Sequence, residues 1–250
     1  MSTKLFNEEI LITLNKLSSF AISPDKTKIL YLSTQQNIKL NNSSKKLYIM
    51  DKDGTNQKLI SQPDDSISEP TFISNEKIAF LIKGELYIMN IDGSSKKKIS
   101  ESGKINKDIN GFLFNEKLTK LILVKSVKVP GIPVKTGNEL YPDCDKASNC
   151  YIADDLCYTH WNALQNEVQH PFIYEIEYKK DLDDIIINEQ SEKNILEKYA
   201  FECPSAPFGG IEEFDIDKEG NKIYFLCRRF KGKEYAFSTD HQGRPIAATG

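Results

Sequence analysis

Apolar runs and polar breaks recur along this chain in a matched order. Residues 47–61 read LYIMDKDGTNQKLIS and residues 86–100 read LYIMNIDGSSKKKIS, with nine of the fifteen positions identical. Each window is an apolar strand, then Asp-Gly, then a short polar stretch that ends in Ile-Ser. Asp-Gly predicts a tight turn, because glycine accepts the positive φ that such turns demand. A second unit precedes these windows: FAISPDKTKILYL from Phe20, FLFNEKLTKLILV from Phe112 and FDIDKEGNKIYFL from Phe214. In all three, Phe is followed eight positions later by Lys and nine positions later by Ile or Leu. FISNEKIAFL, from Phe72, reads as the same unit with three residues fewer between the anchors. Each reads as strand, polar turn, strand.

A module of roughly 40–50 residues and four short strands is the sequence mark of a β-propeller. One such sheet cannot bury both faces alone and needs a neighbour on each side. The expected fold is all-β: a partial β-propeller of about four blades, with a long insertion in the third. A lead-in spans 1–16 and the propeller 17–250, with blades near 18–61, 67–100, 109–207 and 208–250 and the insertion at 130–170. A stack of unrelated hairpins in a sandwich is the other reading, and the matched Phe-to-Lys spacing argues against it.

Between Val129 and Phe208 the pattern breaks. This stretch holds VPGIPVKTGNELYPDCDKASNC, then DDLCYTHW at 154–161, then the strand-like HPFIYEIEY. The only tryptophan of the chain, Trp161, stands here beside one of its three histidines. Loops this long inside a compact domain are usually functional or disordered, and the wealth of Tyr, Pro and Trp favours function.

SPDKTKILYL followed by LYIMDKDGTNQKLIS resembles the propeller repeat of the prolyl oligopeptidase family of serine peptidases. YPDCDKASNCYIADDLCYTHWN and APFGGIEEFDIDKEGNKIYFLCRRFKGKEYAFSTD resemble segments of its bacterial dipeptidyl-peptidase V-type enzymes, over about Leu14 to Asp240. The resemblance implies an N-terminal propeller over a C-terminal α/β-hydrolase domain, with a Ser-Asp-His triad and its serine in a Gly-x-Ser-x-Gly elbow. No such elbow occurs in these 250 residues, so no catalytic residue is assigned. The chain is expected to be a portion that lacks the hydrolase domain and is inactive alone. Short peptides and that missing domain are the expected partners. A non-enzymatic propeller that binds proteins or peptides is the alternative.

The resemblance also implies that an acid near the His-Trp segment binds a substrate's free amino terminus, which a partly shielded carboxylate does well. Candidate substrate-binding residues are therefore Asp155, His160, Trp161 and Asn162, with Asp154 and Glu167 as further acids. Asn162 stands where the family has Asp. Packing of Trp161 between blades, with His160 on a loop carbonyl, is the competing reading. Glu212 and Glu213, after Gly209-Gly210, form a second amine-clamp candidate; neighbours on a strand face opposite ways, so only one could serve. The glycines let the chain turn into the fourth blade. Arg228 and Arg229 suit inter-blade salt bridging or a substrate carboxylate.

Composition narrows the setting. A net charge of −3 and a pI near 5.8 give no general attraction to nucleic acid or anionic lipid. No run reaches the length of a membrane helix, and the first twenty residues do not form a recognisable signal peptide. Five cysteines, an odd number, favour reduced thiols and a cytoplasmic setting, or a periplasmic or secreted one if the true N-terminus lies upstream. Cys144, Cys150, Cys157 and His160 do not match zinc spacing, a Cys144–Cys150 disulfide suits an oxidising compartment, and no metal or cofactor is expected.

Overall fold

A computed structural model describes residues 7–62, 65–99, 105, 107–128, 134–143, 151–153, 167–179, 184–205, 208–230, 238 and 242–247. The chain forms two compact units, Met1–Asp108 and Ile109–Gly250. The first begins with α1 (Glu8–Thr13), started by Asn7, whose Oδ1 accepts the Ile10 amide hydrogen at 2.9 Å. Sheet 1 is then β1 (Lys16–Ile22), β2 (Lys28–Asn37), β3 (Asn42–Asp51) and β4 (Lys58–Leu59). Sheet 2 is β5 (Ile67–Phe72), β6 (Lys77–Ile82), β7 (Glu85–Asn90) and β8 (Lys97–Lys98). Both are antiparallel meanders in chain order.

In the second unit, sheet 3 starts with β9 (Ile109–Phe114) and β10 (Lys120–Val127). An excursion carries β11 (Val134–Thr136), α2 (Gly137–Leu140) and β12 (Tyr151–Ala153), with β11 and β12 paired. The chain then completes sheet 3 with β13 (Val168–Lys179) and β14 (Asp184–Asn194), in the order β9-β10-β13-β14. Sheet 4 comprises β15 (Phe214–Ile216), β16 (Lys222–Cys227) and β17 (Gln242–Ala247). The expected all-β blade architecture is present. After the insertion, β13 covers the strand-like HPFIYEIEY, and β13 and β14 are the two longest strands of the unit among the described residues.

The repeat has a physical cause in its first hairpin. One short polar side chain caps the turn in every sheet. Ser23 Oγ accepts from the Thr27 and Lys28 amides at 3.2 and 2.9 Å, and Ser74 Oγ from Glu76 and Lys77 at 3.2 and 3.1 Å. Asn115 Oδ1 accepts from Thr119 and Lys120 at 2.9 and 2.8 Å, and Asp217 Oδ1 from Asn221 and Lys222 at 2.6 and 3.1 Å. Such local bonds satisfy turn amides that the ladder cannot reach. The lysine that follows opens the second strand and reaches its cross-strand partner on the third. Lys28 Nζ lies 2.6 Å from Asp51 Oδ1, Lys77 Nζ 2.8 Å from Asn90 Oδ1 and Lys120 Nζ 3.0 Å from Glu175 Oε1.

Phe20, Phe112 and Phe214 occupy equivalent places: each pairs with the residue eleven positions later, Tyr31, Leu123 and Phe225. Phe72 does not. It pairs with Ile78, as Ile22 pairs with Ile29, Phe114 with Leu121 and Ile216 with Ile223. The place opposite Phe80 falls in the irregularity between Ser68 and Thr71, where Glu69 has φ 50°. A shorter turn and a bulge in β5 together displace the sequence anchor by two positions.

Alternation on each strand gives every sheet two faces. The face of sheet 1 that bears Leu30, Leu32, Leu47 and Ile49 packs on the face of sheet 2 that bears Ile67, Ile78, Phe80 and Met89. In the second unit, Ile122, Val124 and Ile173 of sheet 3 pack on Phe214, Ile216, Ile223 and Phe225 of sheet 4. Burying each large apolar side chain contributes about 1.5–3 kcal/mol. Sheet 2 buries its other face as well, through Ala79, Leu81, Leu86 and Ile88. Among the described residues no helix is long and apolar enough to cross a membrane.

The Asp-Gly turns are built alike. The Gly54 amide donates to the Asp51 carbonyl and the Gly93 amide to the Asn90 carbonyl, each at 2.9 Å, with φ of 84° and 92°. A side chain at Gly54 would meet nothing within 4 Å, whereas one at Gly93 would stand 3.0 Å from the Ile60 carbonyl oxygen. Gly54→Ala is therefore expected to cost about 1–2 kcal/mol from the positive φ alone, and Gly93→Ala distinctly more. Urea unfolding of the two variants checks the order.

Candidate functional site

Two features of the second unit converge at one end of its sheets. The excursion leaves after Val127 and returns at Val168, and these two residues are direct partners in the β10–β13 ladder. The segment that leads into sheet 4 packs beside the same strands: a Cβ placed on Gly111 of β9 would lie 3.6 Å from Ile211 and 3.8 Å from Val124.

The lead-in to sheet 4 is a closed loop. The Gly209 amide donates to the Ser205 carbonyl at 2.8 Å, and the Glu213 amide to the Gly210 carbonyl at 3.0 Å. Glu213 Oε2 accepts from the Ser205 amide at 2.8 Å, so its carboxylate fastens the loop across eight residues. A Cβ at Gly209 would stand 2.6 Å from both that carboxylate and the Ser205 carbonyl oxygen. Glycine is required there by close approach, as the sharp turn in the sequence suggested. Ile211–Glu213 form a single 3₁₀ turn, not the first residues of a strand, and Phe214–Ile216 is the strand. The two glutamates still diverge: Glu213 turns into the loop, and Glu212 is exposed. Arg228 is buried, joined through a backbone bridge to buried Glu202.

Asp154, Asp155, His160, Trp161 and Asn162 lie outside the described residues, as do Cys144, Cys150 and Cys157. Glu167 is exposed, one residue before β13. Within the excursion, Thr136 and Glu139 form a capping box at α2: Glu139 Oε2 accepts from the Thr136 amide and hydroxyl at 2.7 and 2.9 Å. Lys128 Nζ lies 3.0 Å from Glu139 Oε1. The backbone amide of Thr136, then Lys128, hold the Glu139 carboxyl down to about 2.

Sequence reasoning missed a polar cluster at the same end of sheet 3. The Tyr174 hydroxyl donates to Glu192 Oε2 at 2.5 Å and accepts from Lys125 Nζ at 2.6 Å. Lys125 Nζ also stands 5.2 and 5.1 Å from the ring centres of Phe172 and Tyr174. Burial, then the hydrogen bond to Glu192, drives the Tyr174 hydroxyl far above its ordinary value, so it remains a donor. Nearby, His170 is wholly buried; Asn194 Nδ2 donates to its Nδ1 at 3.0 Å and its Nε2 faces the Phe201 carbonyl at 3.1 Å. Because the amide donates, Nδ1 is the acceptor and Nε2 carries the proton. His170 is thus a neutral, bonded core histidine. Lys125 and Tyr174 are 49 positions apart and Tyr174 and Glu192 are 18, and only strand register brings them together. Among the described residues no group of three or more His, Cys, Asp or Glu could hold a metal ion.

An all-β protein of capped antiparallel blades, three of them four-stranded and one three-stranded among the described residues, is the class that this architecture defines. No family model matches the chain. It is 31% identical to dipeptidyl-peptidase 5 of Porphyromonas gingivalis over 234 residues, which is 93% of this chain and 32% of that protein. It is 25% identical to dipeptidyl-peptidase 5 of Porphyromonas endodontalis over 241 residues, 95% of this chain and 33% of that protein. The resemblance to dipeptidyl-peptidase V-type enzymes is borne out along nearly the whole chain, which spans about a third of the length of these relatives. Among solved structures, acylaminoacyl peptidase of Pyrococcus horikoshii aligns with a TM-score of 0.48 at 16% identity, over 96% of this chain and 39% of that one. The β-propeller domain of the Trilobed protease from Pyrococcus furiosus aligns with a TM-score of 0.42 at 17% identity, over 94% and 69%.

Burial holds the His170 imidazole below its ordinary value, and the Phe201 carbonyl opposes this only in part. The unfolded chain then takes up a proton at about pH 6.5, before the folded one does. Stability is expected to be level above that pH and to fall below it. His170→Gln is expected to remove this part of the slope, as read from urea midpoints across about pH 7.5 to 5.

Proposed function

We propose that this chain is the propeller portion of a serine dipeptidyl or oligopeptidase. It admits short peptides to a shielded site, excludes folded proteins, and lends loop residues to the wall of the substrate cavity. Bond cleavage belongs to a Ser-Asp-His triad in an α/β-hydrolase region outside these 250 residues. The observation that carries this reading is the 31% identity to a dipeptidyl-peptidase 5 across 93% of the chain. The absence of any Gly-x-Ser-x-Gly from the sequence accompanies it.

The acid that receives a substrate's amino terminus comes from the end of sheets 3 and 4. Glu213 is engaged in closing its loop, which leaves Glu212 as the available carboxylate of that pair. Asp155, in the same stretch of sequence as His160, Trp161 and Asn162, is the second candidate; that stretch lies between Val127 and Val168, which pair in sheet 3. An ammonium group held by a carboxylate in a site of reduced water access gains more than it would in bulk solvent.

The purified 250-residue chain is expected to release no chromophore from dipeptidyl-chromogenic substrates; turnover by it would overturn the division of labour. The coding sequence after Gly250 is expected to run into a hydrolase region with the serine elbow, and a stop codon with no such region would sink the peptidase reading. In the longer protein, Glu212→Gln is expected to raise KM for dipeptidyl substrates about tenfold, a loss near 1.4 kcal/mol, with kcat little changed. N-acetylated peptides should show no such difference, which steady-state kinetics will read.

A further inference from the structure

Cys203 and Cys227 flank the lead-in loop and β15 in sequence, and both are buried, at 0% and 2% exposure. Both are thiols, and both belong to the apolar cluster that joins sheets 3 and 4. Neither takes part in the site described above.

Backbone register sets the two cysteines opposite each other. An antiparallel bridge joins Glu202 to Arg228. In antiparallel pairing, one step forward on one segment meets one step back on the other, so Cys203 stands across from Cys227. The Cys203 amide donates to the Gln169 carbonyl of β13 at 2.9 Å, and is therefore turned away from Cys227. Opposed residues that exchange no backbone hydrogen bonds have Cα atoms about 4.5 Å apart and the closer side chains. A disulfide spans Cα separations of about 4.4–6.8 Å. The sulfur lies on the required side: Cys203 Sγ donates at 3.3 Å to the carbonyl oxygen of Leu226, the residue before Cys227.

We propose that Cys203 and Cys227 are a disulfide site that staples the lead-in of sheet 4 to β16. The bond closes a ring around β15 and the loop that carries Glu212. Each thiol gives up its hydrogen and the Sγ–Sγ bond forms. Two electrons and two protons pass to a low-molecular-weight disulfide, whose own S–S bond opens to two thiols. Burial, then the nearness of Cys227, push the Cys203 thiol far above its ordinary value, so the folded chain offers almost no thiolate to begin this exchange. The bond therefore forms as the chain folds, in oxidising surroundings. This departs from the reduced thiols that the cysteine count favoured, and it does not rest on the peptidase reading.

Refolding of the 250-residue chain from urea with reduced and oxidised glutathione, beside refolding with dithiothreitol, tests it. Thiols are then blocked in urea and the chain is digested without reduction. Mass spectrometry is expected to find the Cys203 and Cys227 peptides joined, with the loss of two hydrogens. The urea midpoint of the oxidised chain should exceed that of the reduced chain by about 1 M. Cys203→Ala and Cys227→Ala should each abolish this difference between the two buffers, a comparison made within one variant and so independent of its starting stability. Recovery of Cys203 and Cys227 as blocked thiols after oxidative refolding would overturn the proposal. So would either of them joined to Cys144, Cys150 or Cys157, a joined pair whose midpoint is no higher than that of the reduced chain, or a variant that keeps the difference.

Discussion

Burial of one sheet's face against the next is the constraint on which this molecule depends. A single antiparallel sheet of three or four strands has two apolar faces and too little thickness to hide either one. Sheet 1 buries Leu30, Leu32, Leu47 and Ile49 only because sheet 2 presents Ile67, Ile78, Phe80 and Met89. Sheets 3 and 4 stand in the same relation through a separate cluster. Repetition is therefore a thermodynamic requirement, since each added sheet covers its predecessor and creates a new face to cover. The exposed Phe20 face of sheet 1 is the same requirement left unmet within the described chain.

Polar chemistry sets the register that makes those faces match. A slip of one residue in β1 would turn Phe20 and Ile22 to the other side of the sheet. The capped first turn and the cross-strand lysine oppose that slip together at the turn end of the hairpin. Ser23, Ser74, Asn115 and Asp217 differ in identity yet place an oxygen at the same two amides. Lys28, Lys77 and Lys120 then tie the second strand to the third. Two of these contacts, Lys28–Asp51 and Lys120–Glu175, are partly exposed ion pairs, which contribute little stability singly. Their value is geometric, and it explains why a charged residue recurs beside apolar ones.

At the candidate site, the same residue types perform opposite tasks according to what surrounds them. Glu213 stabilises its loop by accepting the Ser205 amide, while its neighbour Glu212 keeps a solvated carboxylate. His170 is a structural residue because an amide and a carbonyl satisfy both its nitrogens in a dry core. Lys125, Tyr174 and Glu192 form a chain of donors and acceptors in which each charge is compensated, which is the condition for burying such groups at all.

The sequence by itself determined the all-β repeat, its Asp-Gly turns and the equivalence of Phe20, Phe112 and Phe214. Those features are local, written in residues a few positions apart, and local sterics and hydrogen bonds decide them. The Gly209-Gly210 turn was legible for the same reason, whereas Glu212 and Glu213, read as neighbours on a strand, lie in a 3₁₀ turn. Tertiary structure alone decided that Phe72 is out of register, because a bulge in β5 and a short turn trade residues that spacing cannot apportion. It alone joined Lys125 to Tyr174 and Glu192, and His170 to Asn194, since long-range strand pairing sets those contacts. Which apolar face is covered was likewise undecidable from alternation: the pattern marks two sides of a strand but not which neighbour, if any, lies against each.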